Sequence, residues 1–482
     1  MDGACRAAVA QPAAPAVSSQ VVYDFDLVAL GSGPAGQRAA VQAAKLGKRA
    51  AIVEGDGRLG GVCTQTGTIP SKTFREAVLA LTARARRRDA ADAGPARPTA
   101  PELLARVAEV VRREAEVVED QLARNDVTIL RGRGAFQDPH TIRVTGGAGT
   151  RSVTADNVVI AVGTRAAEPA GAALDRDVAI TSDDIVGLKR LPRAATVVGG
   201  GVIGVEYASI FAALGIAVTL VEQRDRVLDW VDREIVDELV HQMRKRNVTF
   251  RFGEKVERLA FEEGPPRRAV LLLESGKRIV ADLVLFSSGR IGATAELGLE
   301  AAGIKTDGRG RIPVDPGFRT VVPHIYAAGD VIGSPALAAT SSEQGRLAAC
   351  HAFEVAAGSL EPHFPIGIYS IPEISMVGTS EQELTAQRMP YETGVARYRE
   401  IARGQILGDD SGLFKMLFHR EDRRLLGAHA IGTGATELIH IGQAVLGLGG
   451  GLDYFLRTVF NYPTLAECYK VAALNAANKL GR

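Results

Sequence analysis

The chain has 482 residues, too many for one hydrophobic core, and a guide of roughly 150 residues per domain predicts about three domains. A formal net charge of +1 does not indicate a nucleic-acid or membrane-surface partner, and no apolar run approaches the ~20 residues of a membrane-spanning helix. The four cysteines lack metal-ligand spacing and fit a reducing compartment, so we expect a cytoplasmic protein without a metal site. Residues 1–21 are rich in alanine and lack the apolar core of a signal peptide, which predicts a disordered tail.

Residues 24–54 have the pattern of a βαβ unit, with strands at 26–30 and 49–53 around an alanine-rich helix. The turn after the first strand is Gly31-Ser32-Gly33-Pro34-Ala35-Gly36. Its glycines allow the backbone to approach a pyrophosphate at the start of the helix. Glu54 lies 18 residues beyond Gly36, where a carboxylate can accept hydrogen bonds from ribose hydroxyls. The unit predicts a dinucleotide site.

The next segment is predicted to be helical over residues 71–125, with an interruption at 93–101. Apolar residues at mixed spacings of three and four predict one packed face: Leu103, Leu104, Val107, Val110 and Val111. We interpret this segment as a helical excursion that packs on the first domain. Residues 127–162 then have a β pattern that ends before Gly163.

A second βαβ unit starts with a strand at 195–198. It continues with Gly199-Gly200-Gly201-Val202-Ile203-Gly204, a helix to 214 and a strand that ends in Glu222, again 18 residues after the last glycine. Two such units predict two dinucleotides, one held as FAD and one exchanging as a nicotinamide nucleotide. Glu222 favours the free 2′-hydroxyl of NAD, whereas Arg224 and Arg226 could pair with the 2′-phosphate of NADP, so both remain open.

A third feature follows the second unit. The apolar residues 325–328 predict a strand that delivers Gly329 and Asp330 at its carboxyl end, where a carboxylate can hold ribityl hydroxyls. From about residue 360 the pattern becomes α+β, with a strand at 414–418 and a helix at 437–446.

Residues 60–72, GGVCTQTGTIPSK, resemble the start of the active-site helix of flavin disulfide reductases. Those enzymes carry two cysteines five positions apart, followed by a lysine. Here the first is Cys63, the second position is Thr68, and the lysine is Lys72. Because a threonine hydroxyl cannot form a disulfide, the segment predicts flavin chemistry without a thiol relay.

Over residues 22–482 the chain resembles the pyridine nucleotide-disulfide oxidoreductase family. Within that family, four segments are similar to the soluble, FAD-containing pyridine nucleotide transhydrogenases: GTIPSK at 67–72, FHRE at 418–421, IHIGQ at 439–443 and FNYPT at 460–464. Each replaces a segment that differs in the relatives that use thiols.

The resemblance implies an α/β fold with two Rossmann-like dinucleotide-binding domains and an α+β C-terminal dimerisation domain. The implied domains after the tail are an FAD-binding domain at 22–180 and 301–355, an NAD(P)-binding domain at 181–300, and an interface domain at 356–482. A homodimer or a higher homo-oligomer is also implied.

The resemblance further implies which residues hold the cofactors. The residues expected at FAD are Gly31, Ser32, Gly33, Pro34, Ala35, Gly36, Glu54, Arg58, Gly60, Gly61, Val62, Cys63, Lys72, Gly163, Gly329 and Asp330. Those expected at NAD(P) are Gly199, Gly201, Val202, Ile203, Gly204, Glu206, Glu222, Arg224 and Gly289. Lys72 would lie near flavin N5 and pair with Glu206, and these two are the expected catalytic residues.

A second part of the thiol machinery is absent near the C-terminus. Relatives that use a disulfide carry a histidine before a proline, whereas here Tyr462 precedes Pro463, although Glu467 remains. A tyrosine with a pKa near ~10 is a poor proton shuttle for a thiolate. We therefore expect Cys63 to contact FAD rather than react, and Cys468 to be buried.

These features imply reversible hydride transfer between NADPH and NAD⁺ through FAD by a ping-pong route. Two alternatives stay open: an NAD(P)H-dependent quinone or dye reductase, and a non-catalytic flavoprotein that binds nucleotides. The missing second cysteine argues against thiol-disulfide reduction.

Overall fold

A computed structural model describes residues 22–55, 59–87, 98–169 and 173–481. The predicted tail and Arg58 lie outside these ranges, as does most of the predicted interruption at 93–101.

Within the described ranges, the strands are β1 (Phe25–Leu30), β2 (Ala50–Glu54), β3 (Thr128–Arg131), β4 (Arg133–Phe136), β5 (Thr141–Gly146), β6 (Gly149–Ile160), β7 (Thr164–Ala166), β8 (Ala179–Thr181), β9 (Ala194–Val198), β10 (Ala217–Glu222), β11 (Val248–Phe252), β12 (Val256–Glu262), β13 (Arg268–Leu273), β14 (Arg278–Ala281), β15 (Leu283–Phe286), β16 (Arg290–Gly292), β17 (Ile325–Ala327), β18 (Ile366–Ile368), β19 (Ile374–Gly378), β20 (Tyr391–Arg397), β21 (Leu413–His419) and β22 (Leu425–Ile431). The α-helices are α1 (Pro34–Lys45), α2 (Gly61–Gln65), α3 (Thr68–Arg87), α4 (Ala100–Arg124), α5 (Val202–Ala213), α6 (Arg233–Lys245), α7 (Ala338–Ala352), α8 (Glu381–Ala386), α9 (Ala402–Leu407), α10 (Ala435–Gly447), α11 (Leu452–Arg457) and α12 (Glu467–Leu480).

The first sheet has the strand order β3-β2-β1-β6-β5-β4, and β17 also pairs with β6. β1, β2, β3, β6 and β17 run parallel, whereas β4 and β5 form an antiparallel extension of β6. Side chains alternate along a strand, so successive residues of β1 pack in hydrophobic cores on opposite faces of the sheet. Leu27 packs with α1 and α7, and Val28 packs on the other face. The carboxyl ends of the parallel strands therefore meet at one edge and deliver Gly31, Glu54 and Asp330 there.

The second sheet is parallel, with the order β11-β10-β9-β15-β8. Helix α5 packs on it and is buried along residues 204–212. The sheet covers one side of α5, while α3 and the C-terminal domain cover the other, as the shared core with Phe74, Val78 and Ile368 shows. Burial on all sides explains why α5 has no polar face.

The C-terminal domain is built on the antiparallel sheet β18-β19-β22-β21-β20. Helices α10 and α12 pack on it through a core that includes Phe414, Phe455 and Tyr469. The predicted fold class is therefore confirmed: two parallel-sheet Rossmann-like units and an α+β C-terminal domain.

The helical excursion lies where the sequence predicted it, as α3 and α4. In α4, Leu103 and Val107 are buried, while Leu104, Val110 and Val111 are half-buried. The second sheet begins two residues before the expected boundary at 181, since β8 starts at Ala179 and pairs with β15. β7 and β16 pair antiparallel where the chain leaves and re-enters the first domain.

None of the helices in the described part of the chain is long and apolar enough to cross a membrane. Among the same residues, no group of three or more His, Cys, Asp or Glu side chains is arranged to hold a metal ion.

Candidate active site

The turn between β1 and α1 has the shape of a dinucleotide cradle. Gly31 has φ +102°, and a Cβ on Gly36 would lie 1.9 Å from the Gly31 carbonyl oxygen, so both positions require glycine. A Cβ on Gly33 would meet none of the described atoms within 4 Å. Gly33 is also the N-cap of α1 and, in the described structure, gives the helix no side-chain cap. The first amides of α1 thus face open space that suits a pyrophosphate.

The carboxylate of Glu54 closes one side of this cradle. Its Oε2 atom accepts hydrogen bonds from the backbone N–H of Ser32 at 3.0 Å and from the Ser32 hydroxyl. The Ser32 Oγ in turn accepts a hydrogen bond from the Gly60 N–H at 2.9 Å. The cradle and the segment that leads to Cys63 are therefore held together.

The turn between β9 and α5 repeats the same construction. A Cβ on Gly199 would lie 2.6 Å from the Ser287 carbonyl oxygen, and one on Gly204 would lie 1.9 Å from the Gly199 carbonyl oxygen. A Cβ on Gly201, the N-cap of α5, would meet no described atom within 4 Å. Val202 and Ile203 follow as the first residues of α5, so this turn also suits a pyrophosphate.

Glu222 lies at the end of β10 and is buried beside the second cradle. Its oxygens accept hydrogen bonds from the Gly200 N–H at 2.6 Å and from the Arg224 N–H at 2.9 Å. Burial acts to raise the pKa of Glu222. The hydrogen bonds and the guanidinium of Arg224 outweigh this effect and hold the pKa below its usual value. Arg224 also pairs with Asp229 at 2.7 Å, whereas Arg226 pairs more distantly with Asp225 at 3.7 Å.

Lys72 and Glu206 are brought together across the two nucleotide-binding units. The Lys72 Nζ lies 2.8 Å from both carboxylate oxygens of Glu206, which is only 4% exposed in its side chain. Lys72 belongs to the second turn of α3 and Glu206 to α5, and these helices pack against each other. The pair places a cation at the junction of the two nucleotide-binding units.

Cys63 lies in the short helix α2 next to the first cradle. A Cβ on Gly61 would lie 3.0 Å from the Cα of Gly33, so this segment packs directly on the cradle. Burial raises the pKa of the Cys63 thiol, and a hydrogen bond with Thr68 only partly opposes it. Cys63 therefore stays a protonated thiol at neutral pH, and its neighbour is a hydroxyl.

The predicted ribityl ligand, Asp330, lies at the end of β17. The Gly329 N–H donates to Gln344 Oε1 at 2.8 Å, and the Ser341 hydroxyl donates to Asp330 Oδ1 at 3.3 Å. Burial raises the pKa of Asp330, while the charge of Arg290 and the Ser341 hydroxyl oppose that rise. This is a half-buried carboxyl group able to accept more hydrogen bonds.

Sequence reasoning missed Arg290, which joins the segments around Gly163 and Gly289. Its guanidinium donates to the Thr164 hydroxyl and carbonyl oxygens, both at 2.8 Å, and to Asp183 at 2.9 Å. A single arginine in a connecting strand has no periodicity or spacing that would have marked it. Tyr369, which touches both Lys72 and Glu206, was missed for the same reason.

The C-terminal residues singled out in the sequence lie apart from these contacts. Tyr462 is 67% exposed in the protomer, and His440 bonds to Gln443 at 2.9 Å. The Oε2 atom of Glu467 is buried and has no hydrogen-bond partner within the described structure. Cys468 is fully buried, as predicted.

Comparison with known proteins identifies the relatives of this chain. Residues 25–345 match the family described as pyridine nucleotide-disulphide oxidoreductase, and residues 364–473 match its dimerisation domain. A soluble pyridine nucleotide transhydrogenase of Mycobacterium tuberculosis is 54% identical over 461 residues, which is 95% of this chain and 98% of the relative. A protein of the same name from Pseudomonas putida is 42% identical over 464 residues, which is 95% of this chain and 99% of the relative.

Solved structures show the same relationship at lower identity. The HOCl-induced flavoprotein disulfide reductase RclA from Escherichia coli has a TM-score of 0.85 at 26% identity, over 93% of this chain and 99% of that one. LpdA from Mycobacterium tuberculosis has a TM-score of 0.86 at 26% identity, over 95% of this chain and 99% of that one. On its sequence and its fold, the chain belongs to the pyridine nucleotide-disulphide oxidoreductase family.

Proposed function

We propose that the protein is an FAD-dependent NAD(P)⁺ transhydrogenase that transfers hydride reversibly between NADPH and NAD⁺ without a redox disulfide. One observation carries the proposal: Lys72 and Glu206 join the two nucleotide-binding units, near Cys63, whose neighbour is the Thr68 hydroxyl. The name shared by the relatives at 54% and 42% identity supports it.

The first cradle fits FAD. The open space at Gly33 and the uncapped start of α1 suit its pyrophosphate, and Glu54 lies where ribose hydroxyls are bound. Asp330 offers a half-buried carboxyl to the ribityl chain. When bound, FAD supplies the two-electron chemistry, because it accepts a hydride from one nicotinamide nucleotide and returns it to another.

The residues of the junction supply charge and alignment. Lys72 would supply a positive charge to the reduced flavin ring when FAD is bound, and Glu206 fixes the direction of the ammonium. The thiol of Cys63 contributes packing against FAD and exchanges no electrons. One nicotinamide site then serves both nucleotides in turn, which requires ping-pong kinetics.

The second cradle has groups that suit either nucleotide. Glu222 is placed to accept a hydrogen bond from the 2′-hydroxyl of NAD. Arg224 has a side chain that is 40% exposed and pairs with both Glu222 and Asp229, and exchange of the Asp229 contact would let it bind the 2′-phosphate of NADP. A transhydrogenase must bind both NAD and NADP.

We further propose a cytoplasmic homodimer with the domain limits inferred above from the family resemblance. The match of residues 364–473 to a dimerisation domain supports assembly through the C-terminal domain. Large apolar side chains of that domain are exposed in the protomer, among them Leu448 at 87% and Val459 at 93%. Such side chains are typical of a surface that a second subunit covers.

The test mixes the purified flavoprotein with NADPH and the thio analogue of NAD⁺. We expect the absorbance of the reduced analogue to rise, with parallel double-reciprocal plots. If NADPH reduces the flavin but only an added quinone reoxidises it, the protein is a quinone reductase. If neither NADPH nor NADH reduces the flavin, the catalytic proposal is wrong. Turnover of lipoamide or glutathione disulfide would contradict the absence of a thiol relay.

A further inference from the structure

Tyr369 lies at the junction of the three structural units. It follows β18 in the C-terminal domain, yet both of its contacts below are with residues of the nucleotide-binding units. Its backbone N–H donates to Glu206 Oε1 at 2.8 Å, and its ring centroid lies 4.9 Å from the Lys72 Nζ. One residue thus contacts both members of the catalytic pair.

The backbone of this segment is fixed by the same two helices that carry the pair. On α3, Arg75 lies one turn after Lys72 and donates to the Ser370 carbonyl oxygen at 3.1 Å. On α5, Ser209 lies one turn after Glu206 and accepts a hydrogen bond from the Ile371 N–H at 3.0 Å. The three successive residues 369–371 are therefore bonded to both helices.

A salt bridge strengthens this attachment. Arg75 pairs with Glu373 at 3.1 Å, and both side chains are less than a tenth exposed. Because these bonds fix the backbone over residues 369–373, the Cα–Cβ bond of Tyr369 has a defined direction relative to α3 and α5. Any movement of the segment would shift the ring relative to Lys72.

The Tyr369 ring adds a contact to those that Glu206 makes with the Lys72 ammonium. Two Lys72 N–H bonds point to Glu206, and its side chain is 25% exposed, so the carboxylate alone does not enclose it. A tyrosine face within about 6 Å of an ammonium attracts it through the quadrupole of the ring. This attraction limits the positions that the Lys72 ammonium can take around Glu206.

We propose that Tyr369 is a positioning residue, which holds the Lys72 ammonium through its ring and the Glu206 carboxylate through its N–H, so that the cation faces the flavin. This inference rests on the proposed function and adds the C-terminal domain to the active-site machinery. Rotation of that domain away from α3 and α5 would release the lysine.

The test compares Tyr369→Leu and Tyr369→Met, which remove the ring, with Tyr369→Phe, which keeps it. The midpoint potential of the bound flavin is measured by dye-coupled reductive titration, which needs no turnover. In the two ring-free variants we expect reduced flavin to be disfavoured about three- to tenfold, a fall of about 15–30 mV for a two-electron couple. Tyr369→Phe should have the wild-type potential. Tyr454→Leu, which removes an exposed tyrosine from the same domain, is the matched control and should also have no effect.

The outcomes separate this inference from the proposed function. If the ring-free variants keep the wild-type potential, or if Tyr369→Phe falls as far as they do, the ring does not position Lys72. If both ring-free variants lose FAD while Tyr454→Leu keeps it, the role is structural and the inference is wrong. If wild-type protein fails to transfer hydride between nucleotides but the potential shifts as expected, the proposed function fails and the positioning role stands.

Discussion

At the scale of single residues, the Lys72–Glu206 pair is better explained by function than by stability. Glu206 is 4% exposed in its side chain, and a carboxylate that leaves water loses hydration that one ion pair barely offsets. A well-packed apolar pair in the same place would be at least as stable. What an apolar pair lacks is a positive charge where the two nucleotide-binding units meet.

Lys72→Met should slow flavin reduction by NADPH by about a hundredfold, because it removes the charge that stabilises the developing negative charge. The FAD should stay bound, since its cradle is formed by other residues. The variant should also lose about 1–3 kcal/mol of stability, because the buried Glu206 carboxylate loses the hydrogen bonds of its cation. Stopped-flow bleaching, flavin content and urea unfolding measure these three effects.

The matched control for this prediction is Lys255→Met. Lys255 pairs with Glu274 at 2.7 Å, but both side chains are more than half exposed, so its loss should change none of the three quantities. Unchanged flavin bleaching in Lys72→Met would rule out the catalytic role of the lysine.

At the scale of elements, the sequence predicted what is local and missed what is distant in the chain. The two glycine turns were predictable because their glycines are required locally: Gly31 has a positive φ, and a Cβ on Gly36 would meet the Gly31 carbonyl oxygen. Helix α3 starts at Thr68, three residues before the predicted start, because Pro70 sits in the first turn, where its missing N–H has no cost. The contacts of Tyr369 and Arg290 join residues more than 100 positions apart, which local patterns do not encode.

The residues of the candidate site divide in the same way, into local features that the sequence predicted and distant contacts that it did not. The acids Glu54 and Glu222 were found from their spacing after each turn, whereas the pairing of Lys72 with Glu206 was reached only through family resemblance. A helix pattern predicts which face is buried, but it does not say which helix will lie opposite. The contact depends on how α3 packs on α5, and no residue spacing reports that packing.

The α2–α3 segment supports a prediction about the missing thiol relay. Thr68→Cys places a second thiol at the position that is hydrogen-bonded to Cys63, so oxidation should form a disulfide that NADPH can reduce through the flavin. Thiol titration should show two fewer free thiols after oxidation. Lipoamide turnover should remain near background, because Tyr462 cannot act as the base.

The control for that result is Thr68→Ser, which keeps a hydroxyl and should show no change in thiol count. Adding Tyr462→His to Thr68→Cys should raise disulfide reductase turnover above that of Thr68→Cys alone. Efficient turnover by Thr68→Cys alone would show that a base at position 462 is not needed.

Helices α1 and α7 support a packing prediction. A Cβ on Gly345 would lie 2.0 Å from the Ala35 carbonyl oxygen, so α7 approaches the backbone of α1 where the first cradle begins. Gly345→Ala should therefore destabilise the protein by about 1–3 kcal/mol and weaken FAD binding, although alanine is normally the better helix residue.

Urea unfolding and flavin release measure this effect. Gly187→Ala is the control, because a Cβ on the exposed Gly187 would meet no described atom within 4 Å, and its stability should change by less than about 0.5 kcal/mol. Equal stability of the two variants would mean that α7 can move away from α1 without loss.

At the scale of the whole molecule, a buried polar cluster joins the second sheet domain to the C-terminal domain. Lys415 on β21 is 1% exposed and pairs with Asp232, the N-cap of α6, at 3.1 Å, and with Glu381 on α8. Burial acts against the charge of Lys415, but Asp232 and Glu381 outweigh it and raise the pKa of the lysine. The cluster fixes the nicotinamide domain relative to the domain that carries Tyr369.

His429 on β22 is buried next to this cluster, and its Nε2 atom lies 3.1 Å from the Thr379 carbonyl oxygen. Burial lowers the pKa of His429 below 6.5, assisted by Lys415 and opposed by Asp232, Glu383 and the Thr379 carbonyl. The folded protein thus keeps this ring neutral at a pH where the unfolded chain protonates it.

The free energy of unfolding should therefore fall as pH drops below about 6.5, because the unfolded state then binds one more proton at this residue. One such histidine contributes at most ~1.4 kcal/mol per pH unit, and it contributes no pH dependence above that range. His324, whose pKa is also lowered by burial, adds in the same direction.

We expect His429→Gln, which keeps an N–H for Thr379, to lose part of this slope between about pH 6.5 and pH 5.5, whereas the exposed His241→Gln should keep all of it. Urea unfolding of the flavin-loaded protein at both pH values measures the slope, and identical slopes in wild type and both variants would show that His429 is not the acid-sensitive group at this junction.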